Sequence, residues 1–386
     1  MSATIGGDIF GSTIHPPSYF ADHFSPVLFL IVPIYAMIPH PMTLVGLQIL
    51  FTALCAWPLW LLTKKILVGR ATYWPDVIAA AWLLNPLVHN VALFEFHVLS
   101  LALFAIFWAA YFFQNKQIHQ FILWSVVALL CREDVGLIIA GFGVIALIER
   151  RTWFWRTLPI LASYLGLIIG TKLTSLFGAE SYKFSVYYDW WNSIGEMATR
   201  QPLLLITHFL NIKTVEWALL LLFPLAFMAI TDKKSMRWLW LLAGPAAQFA
   251  LSGSGLSATL LQIHYAALFL PALFCASIAG IPSGQALLNL ATKFIHVKKN
   301  IPVAGALLVT TLYTAALLGP LPASAYAIFK TKNHSAANQI TTLSASVDQG
   351  MSIAASYKAL TPLSSRQAVA SFNYVFLGYQ QFLTRP

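Results

Sequence analysis

Long apolar stretches separated by short polar segments dominate the chain. Ten of these stretches fit membrane-spanning helices, because a helix needs about 20 mainly apolar residues to cross a bilayer. The ten are 42–63, 77–94, 98–113, 118–131, 135–149, 157–177, 215–230, 238–253, 262–281 and 301–321. The pattern therefore predicts an all-α polytopic membrane protein with about ten transmembrane helices.

Different patterns flank these spans. A shorter apolar piece at 26–38 is bounded by prolines, which favours an interfacial helix. At the other end, helical spacing at 333–347 and two strand-like runs at 351–355 and 368–372 predict a small α/β element. The predicted domains are an N-terminal loop with the interfacial helix (1–41), a transmembrane domain (42–321) and a tail (322–386).

Composition agrees with a membrane protein. Of the 386 residues, 59% are hydrophobic and 9% are charged, and the mean hydropathy is +0.73. Soluble domains carry about 25% charged residues, so a soluble protein is excluded. Cys55, Cys131 and Cys275 show no paired spacing, so neither a disulfide framework nor a zinc ribbon is expected.

The formal net charge of +10 reflects topology and does not predict a nucleic-acid partner. The basic residues follow apolar segments and form no patch interleaved with aromatic residues. Thirteen of the 23 occupy one group of alternate loops: Lys64, Lys65, Arg70, Lys116, Arg150, Arg151, Arg156, Lys233, Lys234, Arg237, Lys293, Lys298 and Lys299. Cytoplasmic loops carry an excess of Lys and Arg, so this group is predicted to face the cytoplasm of a multi-pass plasma-membrane protein. The N-terminal loop and the tail are then extracytoplasmic.

The residues that are most unfavourable in an apolar setting are Arg132, Glu133 and Asp134, which lie between two apolar runs. The run 118–149 is shorter than the roughly 40 residues that two full spans need, which draws the turn toward the hydrocarbon. Charged residues at that depth indicate a functional site. The alternative is a hairpin tip that lies in water.

Three further polar pairs share the predicted outer face with this triplet. They are Asp22-His23, Glu95 with His97, and His264-Tyr265. Carboxylates and imidazoles gathered at one membrane face can form a general base, a divalent-metal site or a phosphate clamp. Each pair also has a purely structural alternative as a helix cap or an interface anchor.

Four segments, in chain order, resemble motifs of the DUF2079 family of predicted membrane proteins. They are His23-Phe24-Ser25-Pro26, Phe94-Glu95-Phe96-His97, Arg132-Glu133-Asp134-Val135-Gly136-Leu137 and His264-Tyr265-Ala266. The second segment has Glu95 where the family has Asp, and the third has Arg132 where the family has Lys. The resemblance covers nearly the whole chain.

The resemblance implies a distant similarity to the GT-C glycosyltransferases, which use polyprenyl-phosphate-linked sugars. The segment His15-Pro16-Pro17-Ser18-Tyr19-Phe20 is similar to the entry of the interfacial helix in such enzymes. The implied activity is transfer of a sugar to an extracytoplasmic acceptor. The expected partners are the lipid bilayer and a polyprenyl-phosphate-linked sugar. The expected cofactor is a divalent metal ion, on the basis of the gathered carboxylates and imidazoles described above.

The same resemblance suggests roles for the polar residues. The catalytic candidates are Glu95, Asp134 and Asp22. The candidates for substrate binding are His23, His97, Arg132, His264 and Tyr265. Arg132 is expected to hold the leaving phosphate, because a guanidinium matches a phosphate bidentately. Glu133 is the candidate metal ligand.

One departure from the family concerns the N-terminus. The family has a span before the first external loop, with the catalytic Asp just after it, whereas this chain begins inside that loop, so a truncated protein is expected. Two other functions stay open. A transporter or flippase of lipid-linked sugars would use the same polar cavity and have repeated halves. A membrane protein without catalysis is favoured if the native protein also lacks the first span.

Overall fold

A computed structural model describes residues 1–11, 18–177, 203, 207, 212–251, 263–294, 302–330, 335–348, 350–364, 366 and 368–378. The segment with His15, Pro16 and Pro17 lies outside the described residues. Helices dominate the described chain. The first ten are α1 (Ser2–Ile5), α2 (Leu28–Met37), α3 (Pro41–Leu54), α4 (Ala56–Ile66), α5 (Trp74–Leu84), α6 (Pro86–Leu93), α7 (Leu99–Gln114), α8 (Ile118–Leu129), α9 (Gly136–Ile148) and α10 (Trp153–Leu176).

The later helices follow the same apolar pattern and then enter the tail. They are α11 (Ile212–Leu222), α12 (Lys233–Met236), α13 (Trp240–Leu251), α14 (Leu270–Phe294), α15 (Val303–Leu318), α16 (Pro320–Lys330), α17 (Ser335–Ser346), α18 (Tyr357–Leu363) and α19 (Phe372–Leu377). Short 3₁₀ turns lie at Tyr19–Ala21, Glu133–Val135, Phe223–Leu225, Met228–Ile230, Arg237–Leu239 and His264–Leu268. Every predicted span overlaps at least one of these helices, so the helical class is confirmed.

The predicted number of ten spans is not confirmed. Among the described residues, three helices are long and apolar enough to cross a membrane: Pro41–Ile66, Trp153–Leu176 and Leu270–Leu290. The number rises to five if each of two bent helix pairs is one span. The other apolar helices are too short, because 16 residues such as those of α7 reach only about 24 Å at 1.5 Å per residue, against a hydrocarbon core of about 30 Å.

The two bent pairs replace spans predicted as single helices. The axis turns by 51° between α5 and α6 and by 50° between α15 and the segment Pro320–Tyr326. Asn85 and Gly319 have extended ψ angles of 129° and 155° at the breaks. Each precedes a proline, whose ring disfavours the helical conformation in the residue before it.

Helix α7 lies at the centre of the packed core. It contacts α3, α4 and α8, and most of its side chains are buried. Trp82 of α5 is fully buried against Phe107 of α7 and Phe274 of α14, with ring centroids 5.0 and 4.9 Å apart. The Trp82 indole N–H donates to the carbonyl of Thr52 at 2.8 Å, so this buried ring has its polar atom satisfied, as such rings require.

The tail forms a small α/β unit that agrees with its predicted elements. Strands β1 (Ile353–Ala355) and β2 (Val369–Ser371) pair in parallel, with Ile353 opposite Val369, and α18 connects them. The guanidinium of Arg366 donates to the carbonyls of Ser344, Val347 and Asp348 at the end of α17. Cations at a helix C-terminus are favourable, so Arg366 ties the sheet to α17.

Candidate functional site

The charge triplet is buried between α8 and α9. Arg132, Glu133 and Asp134 are 3%, 5% and 5% exposed, so the interpretation of this turn as a hairpin tip in water is wrong. Arg132 Nε donates to Asp134 Oδ1 at 2.7 Å, and Arg132 Nη2 donates to Asp134 Oδ2. The paired geometry satisfies both carboxylate oxygens and compensates part of the cost of burying the two charges.

Glu133, between the two residues of this ion pair, contacts His23 from the N-terminal segment. The distance between His23 Nδ1 and Glu133 Oε1 is 2.7 Å, and the side chains are 20% and 4% exposed, respectively. Burial alone would raise the pKa of Glu133, but the contact with His23 and the nearby charge of Arg132 outweigh burial and lower it. The second oxygen, Glu133 Oε2, is buried and accepts no hydrogen bond from the described residues.

Two local features hold His23 against the triplet. A 3₁₀ turn at Tyr19–Ala21 precedes it, and the Ser18 hydroxyl caps this turn by accepting from the Phe20 N–H at 3.2 Å. The Val27 N–H then donates to the Leu130 carbonyl at 3.0 Å. That bond fixes the entry of α2 beside the last residues before Arg132.

Helix α10 closes the other side of Glu133. A Cβ atom added to Gly170 would lie 2.9 Å from the Cβ of Glu133, so only glycine lets α10 approach this closely. The Ser163 hydroxyl of the same helix donates to the Gly136 carbonyl at 2.6 Å, in the first turn of α9. These contacts hold the backbone on both sides of the triplet against α10.

His97 and His264 stack on each other beside the triplet. Their ring centroids are 3.5 Å apart with planes 12° from parallel, and Phe94 lies within 5.7 Å of both rings. Tyr265 links this stack to the triplet, because its ring is 4.1 Å from the His264 ring and 5.8 Å from Arg132 Cζ. Two motifs that are 167 positions apart in the sequence therefore share one surface with Arg132.

Gln48 of α3 holds the loop between α6 and α7 and was not predicted as a site residue. Its side-chain N–H groups donate to the carbonyls of Ala92, Phe94 and Glu95, and its Oε1 accepts from the His97 N–H at 2.7 Å. Gln48 is 1% exposed. A lone amide within an apolar helix is the sequence signal that could have identified it.

Tyr19 is a second residue near the site to which the sequence assigned no role. Burial raises the pKa of its phenol to about 12, while the charge of Arg132 acts in the opposite direction and that of Glu133 adds to the rise. The phenol therefore stays protonated at neutral pH and keeps its O–H donor beside the triplet.

The structure brings together most of the predicted site residues. The connected set is His23, His97, Arg132, Glu133, Asp134, His264 and Tyr265. The Glu95 side chain is exposed, and its backbone carbonyl accepts from His97 Nδ1 at 2.7 Å. Asp22 is half-buried at the end of the first 3₁₀ turn, where its N–H donates to the Tyr19 carbonyl.

The predicted divalent metal site has no matching cluster in the described part of the chain. No group of three or more His, Cys, Asp and Glu side chains there could hold a metal ion. Glu133 Oε1 instead meets the imidazole of His23. The metal ion stays a prediction from the sequence.

Buried, paired charges among apolar helices define the class of this protein: a helical membrane protein with a polar interior site. The chain belongs to the family described as predicted membrane protein (DUF2079), whose model matches residues 1–382. No curated protein and no solved structure matches the chain.

The His97 imidazole makes the stability of this site depend on pH. Burial lowers its pKa to about 4, against the opposing effect of its hydrogen bond to the Glu95 carbonyl. Between about pH 6.5 and pH 4, His97 is protonated in the unfolded chain but stays neutral in the folded chain. We therefore expect the free energy of unfolding to fall by about 3 kcal/mol as the pH drops through this window.

Denaturant titrations of the chain in detergent micelles at pH 7.0 and pH 4.5 measure this effect, and His97→Gln provides the comparison. The variant is expected to lose most of the difference between the two pH values. An equal loss of stability in both proteins would show that other groups cause it.

Proposed function

We propose that this protein is a membrane glycosyltransferase in which His23 is the general base. The donor is a polyprenyl-phosphate-linked sugar, and the acceptor is a hydroxyl compound on the outer face of the membrane. The contact of 2.7 Å between His23 Nδ1 and the buried Glu133 carboxylate carries the proposal. The sugar, the donor and the outer location come from the resemblance and the predicted topology.

The pairing with Glu133 explains how His23 serves as a base. A carboxylate accepts a hydrogen bond, so Nδ1 carries the proton and Nε2 keeps its lone pair. Glu133 is almost fully buried while His23 is partly exposed, so His23 is the member of the pair that a substrate can reach. A buried carboxylate that orients an imidazole and stabilises its protonated form is an established arrangement for base catalysis.

The proposed roles of the predicted carboxylates change accordingly. Both oxygens of Asp134 accept from Arg132, so Asp134 is a partner of the arginine and not the base. Glu95 is exposed, and the residue that contacts Glu133 at 2.7 Å is His23, the neighbour of Asp22. His23 therefore replaces these three as the candidate catalytic residue.

In the proposed reaction, His23 accepts a proton and Arg132 holds the phosphate. The acceptor oxygen attacks the anomeric carbon of the sugar, its proton moves to His23 Nε2, and the bond from that carbon to the phosphate oxygen breaks. The electron pair of the broken bond stays on the polyprenyl phosphate. Arg132 uses two of its five N–H groups on Asp134, and its remaining N–H groups hold the phosphate.

Replacing His23 with glutamine is expected to lower the transfer rate by about 10²- to 10⁴-fold, because general base catalysis contributes that much. The assay uses the purified full chain in liposomes with a panel of polyprenyl-phosphate-linked hexoses and pentoses, and it measures released polyprenyl phosphate. His119→Gln, at an exposed position of α8, is the matched control and keeps full activity. Turnover in the His23 variant equal to that of the control would exclude His23 as the base.

A transporter of lipid-linked sugars is the second candidate, and the two broken helices favour it. The segments α6 and α16 that follow the breaks contact each other, and α6 also contacts the turn that carries His264. Broken helices that meet at a binding site are typical of transporters. Movement of a fluorescent polyprenyl-phosphate sugar across the liposome bilayer, without release of polyprenyl phosphate, would support transport and contradict transfer.

A further inference from the structure

The end of α9 farthest from the charge triplet carries a second concentration of charge. We propose that this basic surface, formed by Arg150, Arg156, Lys233, Lys234 and Arg237, binds the headgroups of acidic phospholipids. Helix α9 has 13 residues and is about 20 Å long. The proposed lipid site therefore lies well away from His23 and does not depend on the proposed enzyme activity.

Tertiary contacts join two basic segments that lie more than 80 positions apart. Arg237 Nη1 is 2.8 Å from Glu149 Oε1, and Arg151 Nε donates to Glu149 Oε2 at 2.6 Å. Arg151 also donates to the Phe113 carbonyl at 2.6 Å and lies 3.7 Å from the Phe113 ring centroid. Arg151 is therefore used within the fold, and it brings the ends of α7 and α9 together.

The acidic residues at this end are already occupied. Glu149 serves both arginines described above, and Asp232 accepts from the Ser235 N–H at 2.7 Å and from the Ser283 hydroxyl. Among the described residues, no carboxylate pairs with Arg150, Lys233 or Lys234, all of which are exposed. Several positive charges thus remain for an external anion.

Two guanidinium nitrogens support a phosphate as that anion. The Nε atoms of Arg156 and Arg237 are shielded from solvent and have no hydrogen-bond partner in the described part of the chain. A guanidinium N–H prefers a charged oxygen acceptor, and phosphate oxygens fit its geometry. A headgroup phosphate at the exposed edge of these guanidinium groups would supply a charged acceptor for their remaining N–H groups.

Exposed apolar side chains beside the basic surface indicate that the anion belongs to a lipid. Leu147, Ile148, Trp153, Phe154 and Met236 are each 49–63% exposed, and the Trp153 and Phe154 rings stack 3.9 Å apart. Helix α10, which begins at Trp153, is apolar and long enough to span a membrane. Aromatic rings at the end of a span lie at the headgroup level, where basic residues meet acidic lipids.

A lipid-retention experiment tests the proposal. The purified full chain in detergent micelles is mixed with equal amounts of phosphatidylglycerol and phosphatidylcholine, and the lipids retained after gel filtration are quantified by mass spectrometry. The variant Arg150→Gln/Lys233→Gln/Lys234→Gln is expected to lower the ratio of retained phosphatidylglycerol to phosphatidylcholine at least about fivefold. The variant keeps Arg151 and Arg237, whose contacts with Glu149 support the fold.

The matched control removes the same charge from another exposed loop of the predicted cytoplasmic face. Lys64→Gln/Lys65→Gln/Arg70→Gln is expected to leave the ratio within about twofold of the unmodified chain, because none of these residues belongs to the two segments that carry the shielded donors of Arg156 and Arg237. An equal drop of the ratio in both variants would show that general surface charge causes the retention, and it would overturn the proposal. Equal retention of the two lipids by the unmodified chain, or complete displacement of phosphatidylglycerol by millimolar inorganic phosphate, would also overturn it.

Discussion

Replacing Arg132 with methionine is expected to lower the free energy of unfolding by about 3–5 kcal/mol. The side chains of Arg132 and Asp134 are only 3% and 7% exposed. Methionine fills much of the same volume but leaves the Asp134 carboxylate buried without its positive partner. A buried charge without compensation is among the most destabilising changes in a protein.

The double variant Arg132→Met/Asp134→Leu separates this cause from lost packing. It removes both charges and is expected to recover most of the stability, because replacing a whole buried pair with apolar residues is often neutral. Denaturant titration in detergent micelles, followed by tryptophan fluorescence, measures all three proteins. Equal destabilisation of the single and double variants would show that packing, and not the unpaired charge, accounts for the loss.

The second large effect is expected at Gly280 of α14. A methyl group there would overlap the Met228 carbonyl oxygen and lie 2.6 Å from the Thr231 hydroxyl oxygen. The Thr231 hydroxyl also donates to the Gly280 carbonyl at 3.0 Å. Gly280→Ala is therefore expected to cost about 1–3 kcal/mol of stability, since the backbone around Met228 must move to admit the methyl group.

Gly46→Ala in α3 is the matched control for this substitution. A Cβ atom at Gly46 would have no neighbour within 4 Å, so the variant is expected to gain up to about 1 kcal/mol from the helix propensity of alanine. The same denaturant titrations compare the two variants. Stability of Gly280→Ala equal to or above that of Gly46→Ala would contradict the close packing of α14 on the turn at Met228–Ile230.

The sequence predicts which residues belong to the site. Charged or polar residues in an apolar chain are expensive wherever they lie, so Arg132, Glu133, Asp134 and His264 were visible as candidates from their surroundings alone. Gln48 escaped prediction because a single amide in an apolar helix gives a weak signal. Its four contacts with the loop before α7 exist only once α3 packs there.

The pairing within the site was not predictable. Asp134 was one of three possible bases, but it is bound to Arg132. Glu133, expected as a metal ligand, contacts His23 instead. The residues of the second pair are 110 positions apart. Hydrophobic periodicity reports which side chains are buried, but it does not report which of them meet across such a distance.

Apolar run lengths and low charge identify a helical membrane protein from the sequence alone, and the motifs identify its family. These properties follow from the cost of placing polar groups in hydrocarbon. That cost shapes the composition of each segment separately, so it can be recognised in each segment of the sequence. Only the tertiary structure decided that α5 and α6 form a bent pair, that the triplet is buried, and that His23 faces Glu133. These outcomes depend on packing between distant helices, where the cost of a buried charge is offset only by the particular partner that the fold brings to it.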